Sequence, residues 1–173
     1  MIILWMIALV VVVAVAVTYA WGAWRAAPFV PTRQRDVERM LFLAEVQPGQ
    51  TVVDLGAGDG RFLLTAARRF KAKVIGYEIS LLPYLIGLCR LALARDVQAK
   101  WKFQDFFRVN LQSADVVVCF LTPGAMAKLA VKFQRELRPG TKIVSYAFAL
   151  PGWIPLRKDK PSATVMAVYL YQR

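Results

Sequence analysis

The sequence contains no histidine, and this absence excludes several common kinds of active site. A Ser-His-Asp triad, a Cys-His pair and a zinc site with histidine ligands all require an imidazole ring. The chain has only two cysteines, Cys89 and Cys119, and their spacing fits neither a metal-binding CxxC pair nor a disulfide framework. We therefore expect no metal site and a reducing compartment, with any chemistry supplied by carboxylates, hydroxyls, backbone groups or a cofactor.

Charge is also missing from the start of the chain, where no charged side chain precedes Arg25. Residues 2–21 form one continuous, strongly apolar run. A helix of that length extends about 30 Å, the thickness of the hydrocarbon core of a bilayer. Trp5 lies near one end of the run and Trp21 near the other, where aromatic side chains favour the two membrane interfaces. The run therefore predicts a single transmembrane helix.

This run divides the chain into a predicted transmembrane anchor, residues 1–24, and a second domain, residues 25–173. A cleaved signal peptide is one alternative, but the run lacks the positive residues that precede the apolar core of signal peptides, and it is longer than such a core. A buried core helix is the other alternative. The length of the run favours the anchor over both.

Acidic residues are scarce: 11 Asp and Glu stand against 23 Lys and Arg, which gives a formal net charge of +12. All the basic residues follow the apolar run, so the positive-inside rule predicts a single-pass protein whose domain lies on the cytoplasmic face. Excess positive charge suits nucleic acid, an acidic protein or anionic lipid, and an anchor favours the lipid. We expect no nucleic-acid partner, because no RNA-binding aromatic motif, helix-turn-helix or zinc-finger spacing is present.

The domain that follows the anchor alternates between strand-like and helix-like hydrophobic patterns. Five strands are predicted, at residues 51–55, 73–78, 98–103, 115–120 and 141–148, and four helices, at residues 32–46, 61–70, 80–96 and 124–140. This alternation predicts an α/β fold with a doubly wound, mostly parallel Rossmann-like sheet. Residues 163–171 have a strand pattern with no helix before them, which predicts a C-terminal β-hairpin with an antiparallel strand at the sheet edge.

A glycine-rich turn after the first of these strands carries the main functional signal. It has the pattern DxGxGxG over residues 54–60, and the helix that begins at Arg61 follows at once. Glycines in this place let the chain turn tightly and let a ligand approach the backbone at the start of a helix. The turn is not a dinucleotide-binding GxGxxG, because Arg61 stands where the third small residue belongs, and no Lys-Ser/Thr follows it as in a P-loop.

Acidic residues also follow the next two predicted strands. Glu78 ends the second strand, 24 residues after Asp54, where a carboxylate can accept hydrogen bonds from both hydroxyls of a ribose. Asp105 follows the third strand. Either acid alone could be a solvated loop residue or a helix cap, but together with the glycine turn they favour a ligand site at one edge of the sheet.

The DxGxGxG turn and these acids resemble the cofactor motifs of class I S-adenosylmethionine-dependent methyltransferases. The resemblance implies that residues 25–173 form a methyltransferase domain with S-adenosylmethionine as cofactor. It also implies that Asp105 and Phe106 contact the adenine of the cofactor, as part of a larger cofactor-binding set: Asp54, Gly56, Gly58, Gly60, Glu78, Asp105 and Phe106.

Other segments resemble a narrower family, the membrane-anchored protein-lysine methyltransferases of the adenine nucleotide translocase and of the c ring protein of ATP synthase. These segments are residues 28–32, 37–38, 54–61, 76–78, 105–107 and 148–155. The resemblance implies that the acceptor is a lysine side chain of a membrane or membrane-associated protein. It also makes Thr32 a candidate contact to the methionine end of the cofactor.

Aromatic residues at and after the end of the fifth strand form a candidate acceptor site. Tyr146, Phe148 and Trp153 could surround a lysine ammonium group, although aromatic side chains are also common in ordinary sheet and core packing. A lysine must be neutral to accept a methyl group, and an apolar pocket favours that form. Methylation of a lipid or quinone head group, and a cofactor-binding membrane module without turnover, are the alternative functions.

Overall fold

A computed structural model describes residues 1–94 and 96–173 of the chain. The helices in this part of the chain are α1 (Ile2–Arg25), α2 (Gln34–Leu43), α3 (Arg61–Phe70), α4 (Leu81–Leu93) and α5 (Pro123–Glu136), with a 3-10 turn at Phe106–Arg108. The strands are β1 (Thr51–Leu55), β2 (Lys73–Glu78), β3 (Ala99–Phe103), β4 (Val116–Cys119), β5 (Lys142–Tyr146), β6 (Arg157–Asp159) and β7 (Val168–Gln172).

All the strands form one sheet in the order β3-β2-β1-β4-β5-β7-β6. The pairs from β3 to β5 are parallel, and β7 is antiparallel to both β5 and β6. The predicted mostly parallel Rossmann-like sheet and its C-terminal hairpin are thus confirmed. The order of the strands reverses between β1 and β4, and ligands of open α/β sheets bind at such a reversal, outside the carboxyl ends of the strands.

The core lies on both faces of the sheet, as expected for parallel strands that are covered by helices. Helices α2 and α3 pack against one face and share a cluster with Val52 and Val118. Helix α5 and the segment around Phe106 pack against the other face and share a cluster with Val53 and Val117. Neighbouring residues of a central strand therefore point into opposite halves of the core.

Some predicted boundaries differ from the structure at the ends of elements. Thr32 was predicted to begin the first helix of the domain, but α2 begins at Gln34 because the chain is still extended at Arg33. Helix α5 ends at Glu136 rather than at residue 140, since Leu137 is extended and Arg138 precedes a proline. The strand predicted at residues 163–171 begins at Val168, and its hairpin partner β6 lies in a segment that was expected to consist of turns.

Helix α1 is long and apolar enough to cross a membrane, judged by length and composition. Only Gly22 of this helix is buried. At its C-terminal end α1 packs against the start of α4, where the hydroxyl of Thr18 accepts a hydrogen bond from the backbone N–H of Leu81 at 3.1 Å. The apolar helix is therefore joined directly to the rest of the fold.

Candidate active site

A cavity of about 790 Å³, measured with its open mouth, lies at the carboxyl ends of β1, β2 and β4. This is the point where the strand order reverses. The wall opposite the sheet is the connection between α1 and α2, residues 26–32. Six of the residues predicted to bind the cofactor line the cavity: Thr32, Asp54, Gly56, Gly58, Glu78 and Phe106.

The glycine turn has a backbone conformation that L side chains rarely adopt, with φ angles of +85° at Gly56, +58° at Gly58 and +76° at Gly60. At Gly58 space is limiting as well, because a Cβ atom would lie 2.6 Å from the ring of Phe29. Gly60 precedes α3 and does not line the cavity. The turn thus presents bare backbone to the cavity, with Phe29 lying over it.

Asp54 is the most perturbed acid of the site. It is 7% exposed, and among the described residues no donor forms a hydrogen bond with its carboxylate. Burial, reinforced by the negative charges of Glu78 and Asp59, raises the pKa of Asp54 to about 8. A buried carboxylate of this kind is stabilised by a cationic group brought into the cavity.

Glu78 is held by the backbone in a way that also holds the glycine turn. Its carboxylate accepts hydrogen bonds from the N–H groups of Gly58 at 2.9 Å, Ile79 at 2.8 Å and Ser80 at 2.7 Å. Burial raises the pKa of Glu78, and these hydrogen bonds oppose the rise because they favour the charged form. Glu78 therefore links the turn after β1 to the start of α4.

The role of Arg61, which the sequence leaves open, is to pair with Asp59. Its guanidinium donates to the Asp59 carboxylate at 2.6 and 2.9 Å and to the carbonyl oxygen of Thr32 at 3.0 Å, while Arg90 of α4 adds a second ion pair at 2.8 Å. Burial disfavours the charge on Asp59, but the two arginines outweigh it and hold its pKa below the usual value. This network ties the glycine turn to α4 and to the wall opposite the sheet.

Asp105 lies outside the cavity, which is a correction to the predicted adenine contact. Its carboxylate accepts two hydrogen bonds from Arg25, at 3.0 and 3.1 Å, and one from the N–H of Phe107 at 2.9 Å. Arg25 also lies 4.8 Å from the centre of the Phe107 ring. Asp105 is thus a helix cap that binds the end of α1, and Phe106 is the residue of this segment that reaches the cavity.

The three aromatic residues predicted to form one acceptor wall are separated in the structure. Tyr146 packs in the core cluster of α2 and α3, whereas Trp153 packs against the cluster of α5, next to Tyr171. Phe148 is 40% exposed between them in sequence and lines neither the cofactor cavity nor its neighbour. The physical reason is that the chain turns after β5 and sends Trp153 to the opposite face of the sheet.

A second cavity of about 600 Å³ adjoins the first and shares with it Phe120 and residues 30–32. Tyr146 lines it, with its ring edge-on to Phe120 at 4.9 Å between centres and its hydroxyl donating to Asp36 at 3.0 Å. The sequence analysis did not single out Phe120 or Asp36. The position of Phe120, directly after β4 at the carboxyl edge, was the available signal for it.

Comparison with known proteins identifies the class of enzyme to which this geometry belongs. The family profile of the ANTKMT methyltransferase domain matches residues 54–157. The chain belongs to this methyltransferase family. The matched region includes the glycine turn, Glu78 and the start of the C-terminal hairpin, so the family assignment and the site geometry concern the same part of the chain.

Curated relatives of this methyltransferase act on lysine. It is 38% identical over 153 residues to a protein-lysine N-methyltransferase of Saccharolobus islandicus, covering 83% of this chain and 92% of the relative. It is 37% identical to the adenine nucleotide translocase lysine N-methyltransferase of Mus musculus, covering 75% of this chain and 56% of the relative. It is 33% identical to the lysine N-methyltransferase of the ATP synthase c ring protein of Homo sapiens, covering 85% of this chain and 64% of the relative.

Among solved structures, the methyltransferase resembles an RNA methyltransferase from Salinibacter ruber that was crystallised with S-adenosyl-L-homocysteine. The TM-score is 0.76 and the sequence identity 32%, covering 83% of this chain and 93% of the other. The protein is thus an S-adenosylmethionine-dependent methyltransferase by family and by fold, as the sequence motifs predicted.

Proposed function

We propose that this methyltransferase binds S-adenosylmethionine in the cavity at the glycine turn and methylates a lysine side chain of a membrane or membrane-associated protein. The observation that carries the proposal is Asp54, a buried carboxylate without a hydrogen-bond donor among the described residues, placed beside a bare-backbone turn. The lysine specificity of the curated relatives supports the choice of acceptor.

The residues around the cavity fit this cofactor. The carboxylate of Asp54 offers compensation to a positively charged group, Glu78 offers carboxylate oxygens to ribose hydroxyls, and Phe106 offers an apolar surface to adenine. Thr32 reaches the same cavity from the opposite wall. Gly56, Gly58 and Gly60 keep side chains away from the turn. Asp105, which is occupied by Arg25, has no part in this assignment.

S-adenosylmethionine, when bound, supplies a methyl group made electrophilic by the sulfonium. The contribution of the chain is to align donor and acceptor and to exclude water, and alignment is worth up to about 7–11 kcal/mol in favourable cases. The buried position of Asp54 lets it hold charge in a region of low dielectric, where its interaction with a cation is strong.

For the acceptor we propose the second cavity, with Phe120 and Tyr146 replacing the aromatic wall expected from the sequence. It joins the cofactor cavity through Phe120, and its two rings and the nearby Asp36 suit an ammonium group and its methylated products. Apolar surroundings favour the neutral amine that transfer requires. Asp36 is already paired with Arg39 at 3.0 Å, which leaves the aromatic rings as the principal contact.

We also propose that α1 is a retained membrane anchor, residues 1–24, and that the domain of residues 25–173 lies on the cytoplasmic face. Retention is supported by the packing of the helix end, because Gly22 and Ala26 line the cofactor cavity and Thr18 binds the start of α4. Removal of a signal peptide after Ala20 would delete the Thr18 contact. The orientation rests on the positive-inside rule.

The proposal can be tested by mass spectrometry of membrane proteins from cells with and without the gene. We expect at least one lysine peptide that is methylated only when the gene is present, and restored by the wild-type chain but not by an Asp54→Asn variant. A methylated lipid in place of a lysine peptide would favour the small-molecule alternative. Methylated RNA, the substrate class named for the Salinibacter ruber enzyme, would contradict the choice of acceptor.

A further inference from the structure

Helix α4 differs from the other helices of the domain because its outer surface is apolar. Arg90 is the only charged residue among its 13. Five large apolar side chains of this helix are between 38% and 84% exposed: Leu82, Leu85, Ile86, Leu88 and Leu93. Leu82, Leu85, Ile86, Cys89 and Leu93 follow helical spacing and form one stripe, here called the α4 stripe.

The exposure of the stripe follows from how α4 packs on the sheet. Its buried residues are Pro83 and Gly87, and Gly87 lies so close to the ring of Trp101 that a Cβ atom would clash with it. The indole N–H of Trp101 donates to the carbonyl oxygen of Tyr84 at 3.0 Å, which fixes the helix at this close distance. The small residues of α4 thus face the protein and its large apolar residues face outward.

The α4 stripe is continuous with the surface of α1. Thr18 of α1 accepts a hydrogen bond from Leu81, the first residue of α4, and Gly22 of α1 packs against Ser80 just before it. Ala14 and Thr18 are less exposed than their neighbours, so the face of α1 that is turned toward α4 consists of small residues: Ala14, Thr18 and Gly22. The outward face of α1 is exposed and apolar, like the stripe.

We infer that the α4 stripe lies in the lipid interface as a second membrane contact, parallel to the bilayer surface beside the anchor. This inference rests on the proposed membrane anchor and goes beyond it. A lipid surface suits the stripe better than a second copy of the chain, because any surface continuous with a transmembrane helix meets lipid first. Lys100 and Lys102 of the neighbouring edge strand β3 are exposed and add the positive charge that attracts anionic head groups.

This contact fixes the height of the active site above the membrane. The start of α4 is also the edge of the cofactor cavity, since Ile79 and Ser80 line it together with Gly22 of α1. With two helices holding the domain, the cavity is kept against the bilayer rather than swinging on the connection that follows α1. The inferred substrate is accordingly a lysine at the level of the head groups, not one carried on a domain that projects far from the membrane.

The chain provides its own probe, because Cys89 is exposed in the middle of the stripe while Cys119 is buried. The full chain is labelled at Cys89 with an environment-sensitive fluorophore and placed, one molecule per disc, in lipid nanodiscs of phosphatidylcholine and phosphatidylglycerol. Spin-labelled lipids with shallow or deep quenchers are then added. We expect quenching that is stronger with the shallow quencher, as for a helix that lies about 5–10 Å into the interface.

The control site is Gln134 of α5, which is exposed on the helix that covers the other face of the sheet. A Gln134→Cys label in a Cys89→Ser chain should show no lipid quenching. The inference is overturned if Cys89 is quenched no more than this control, or if its emission is blue-shifted without lipid quenching, which would indicate cover by protein.

A paired variant tests whether the stripe itself makes the contact. Leu85→Gln with Ile86→Gln should abolish most of the quenching at Cys89, whereas Val131→Gln, at an equally exposed apolar position of α5, should leave it unchanged. Quenching that persists in the paired variant overturns the inference. Sedimentation with membranes and calorimetry with S-adenosylmethionine are measured on the same samples. Loss of either in the wild-type chain would contradict the proposed function instead.

Discussion

The protonation of Asp54 makes cofactor binding depend on pH in a specific direction. In the free protein its pKa is about 8, so the carboxyl is largely protonated at neutral pH. If the bound cofactor needs the carboxylate form, binding must release a proton below that pH. We expect the affinity for S-adenosylmethionine to rise as pH approaches 8 and to level off above it.

The size of the effect follows from the distance to the pKa. Each unit of pH below the pKa of the free protein adds about 1.4 kcal/mol, a factor of about ten, until the pKa of the complex is reached. Two units below the pKa, binding should be about 100-fold weaker than on the plateau, or about 2.7 kcal/mol, if the pKa of the complex lies lower still. This value is an upper limit for one carboxyl group.

Isothermal titration calorimetry measures both parts of this prediction. Titrations between about pH 6 and pH 8 give the slope, and buffers with different ionisation enthalpies give the number of protons released. The matched variant is Asp54→Asn, which keeps the shape of the side chain and cannot ionise. Because the amino group of the cofactor contributes equally to both proteins, the difference between them reports Asp54. Identical pH slopes for the two proteins would refute the reasoning.

The same group makes a prediction for stability without cofactor. Its pKa is raised from 3.8 in the unfolded reference to about 8 on folding, so its stabilising contribution is complete below about pH 4 and is lost as pH rises through 8. Asp54→Asn should therefore unfold at a higher temperature than the wild type at pH 8 and show a smaller difference at low pH. Thermal unfolding of both proteins in the same detergent measures this.

Three further predictions concern other parts of the site. Glu78→Ala should weaken S-adenosylmethionine binding by about 1–3 kcal/mol through loss of charge-assisted hydrogen bonds, measured by calorimetry; unchanged affinity in a folded variant would remove Glu78 from the site. Gly58→Ala should lower the unfolding temperature and cofactor affinity because of its positive φ and the ring of Phe29, whereas Gly124→Ala, with open space at its Cβ, should be neutral or stabilising. Deletion of residues 1–24 should weaken cofactor binding, because Gly22 lines the cavity, and deletion of residues 2–13 should not; equal affinities for both deletions would contradict this reasoning.

Features that depend on short stretches of sequence were predicted well. The glycine turn determines where β1 ends and α3 begins, and the apolar strands β1 and β4 can be recognised because both of their faces are buried. Once those strands are parallel, Asp54 and Glu78 necessarily meet at one edge of the sheet. The approximate position of the cofactor cavity follows from these local patterns.

Features that depend on distant contacts were not predicted. Asp105 has the spacing of a ligand residue, but Arg25, 80 positions earlier in the chain, turns it into the partner of the apolar helix. The grouping of Tyr146 with Trp153 was wrong because proximity in sequence does not show which face of the sheet each reaches after a turn.

The exposure of α4 could not be predicted from its composition either. A leucine-rich helix has the same sequence pattern whether its large side chains meet a protein core or a lipid surface. The close approach of Gly87 to Trp101, a contact between α4 and β3, decides which face is turned inward. Periodicity alone carries no record of that contact.

Transfer of a tritiated methyl group from S-adenosylmethionine into isolated membranes tests the central claim most directly. The full chain is added to membranes that lack it, protein, lipid and RNA are separated, and the protein is hydrolysed to identify the labelled amino acid. We predict label in methylated lysine, and loss of that label with the Asp54→Asn variant at a cofactor concentration that saturates the wild type. Label in lipid, RNA or arginine, with none in lysine, would contradict the proposed function.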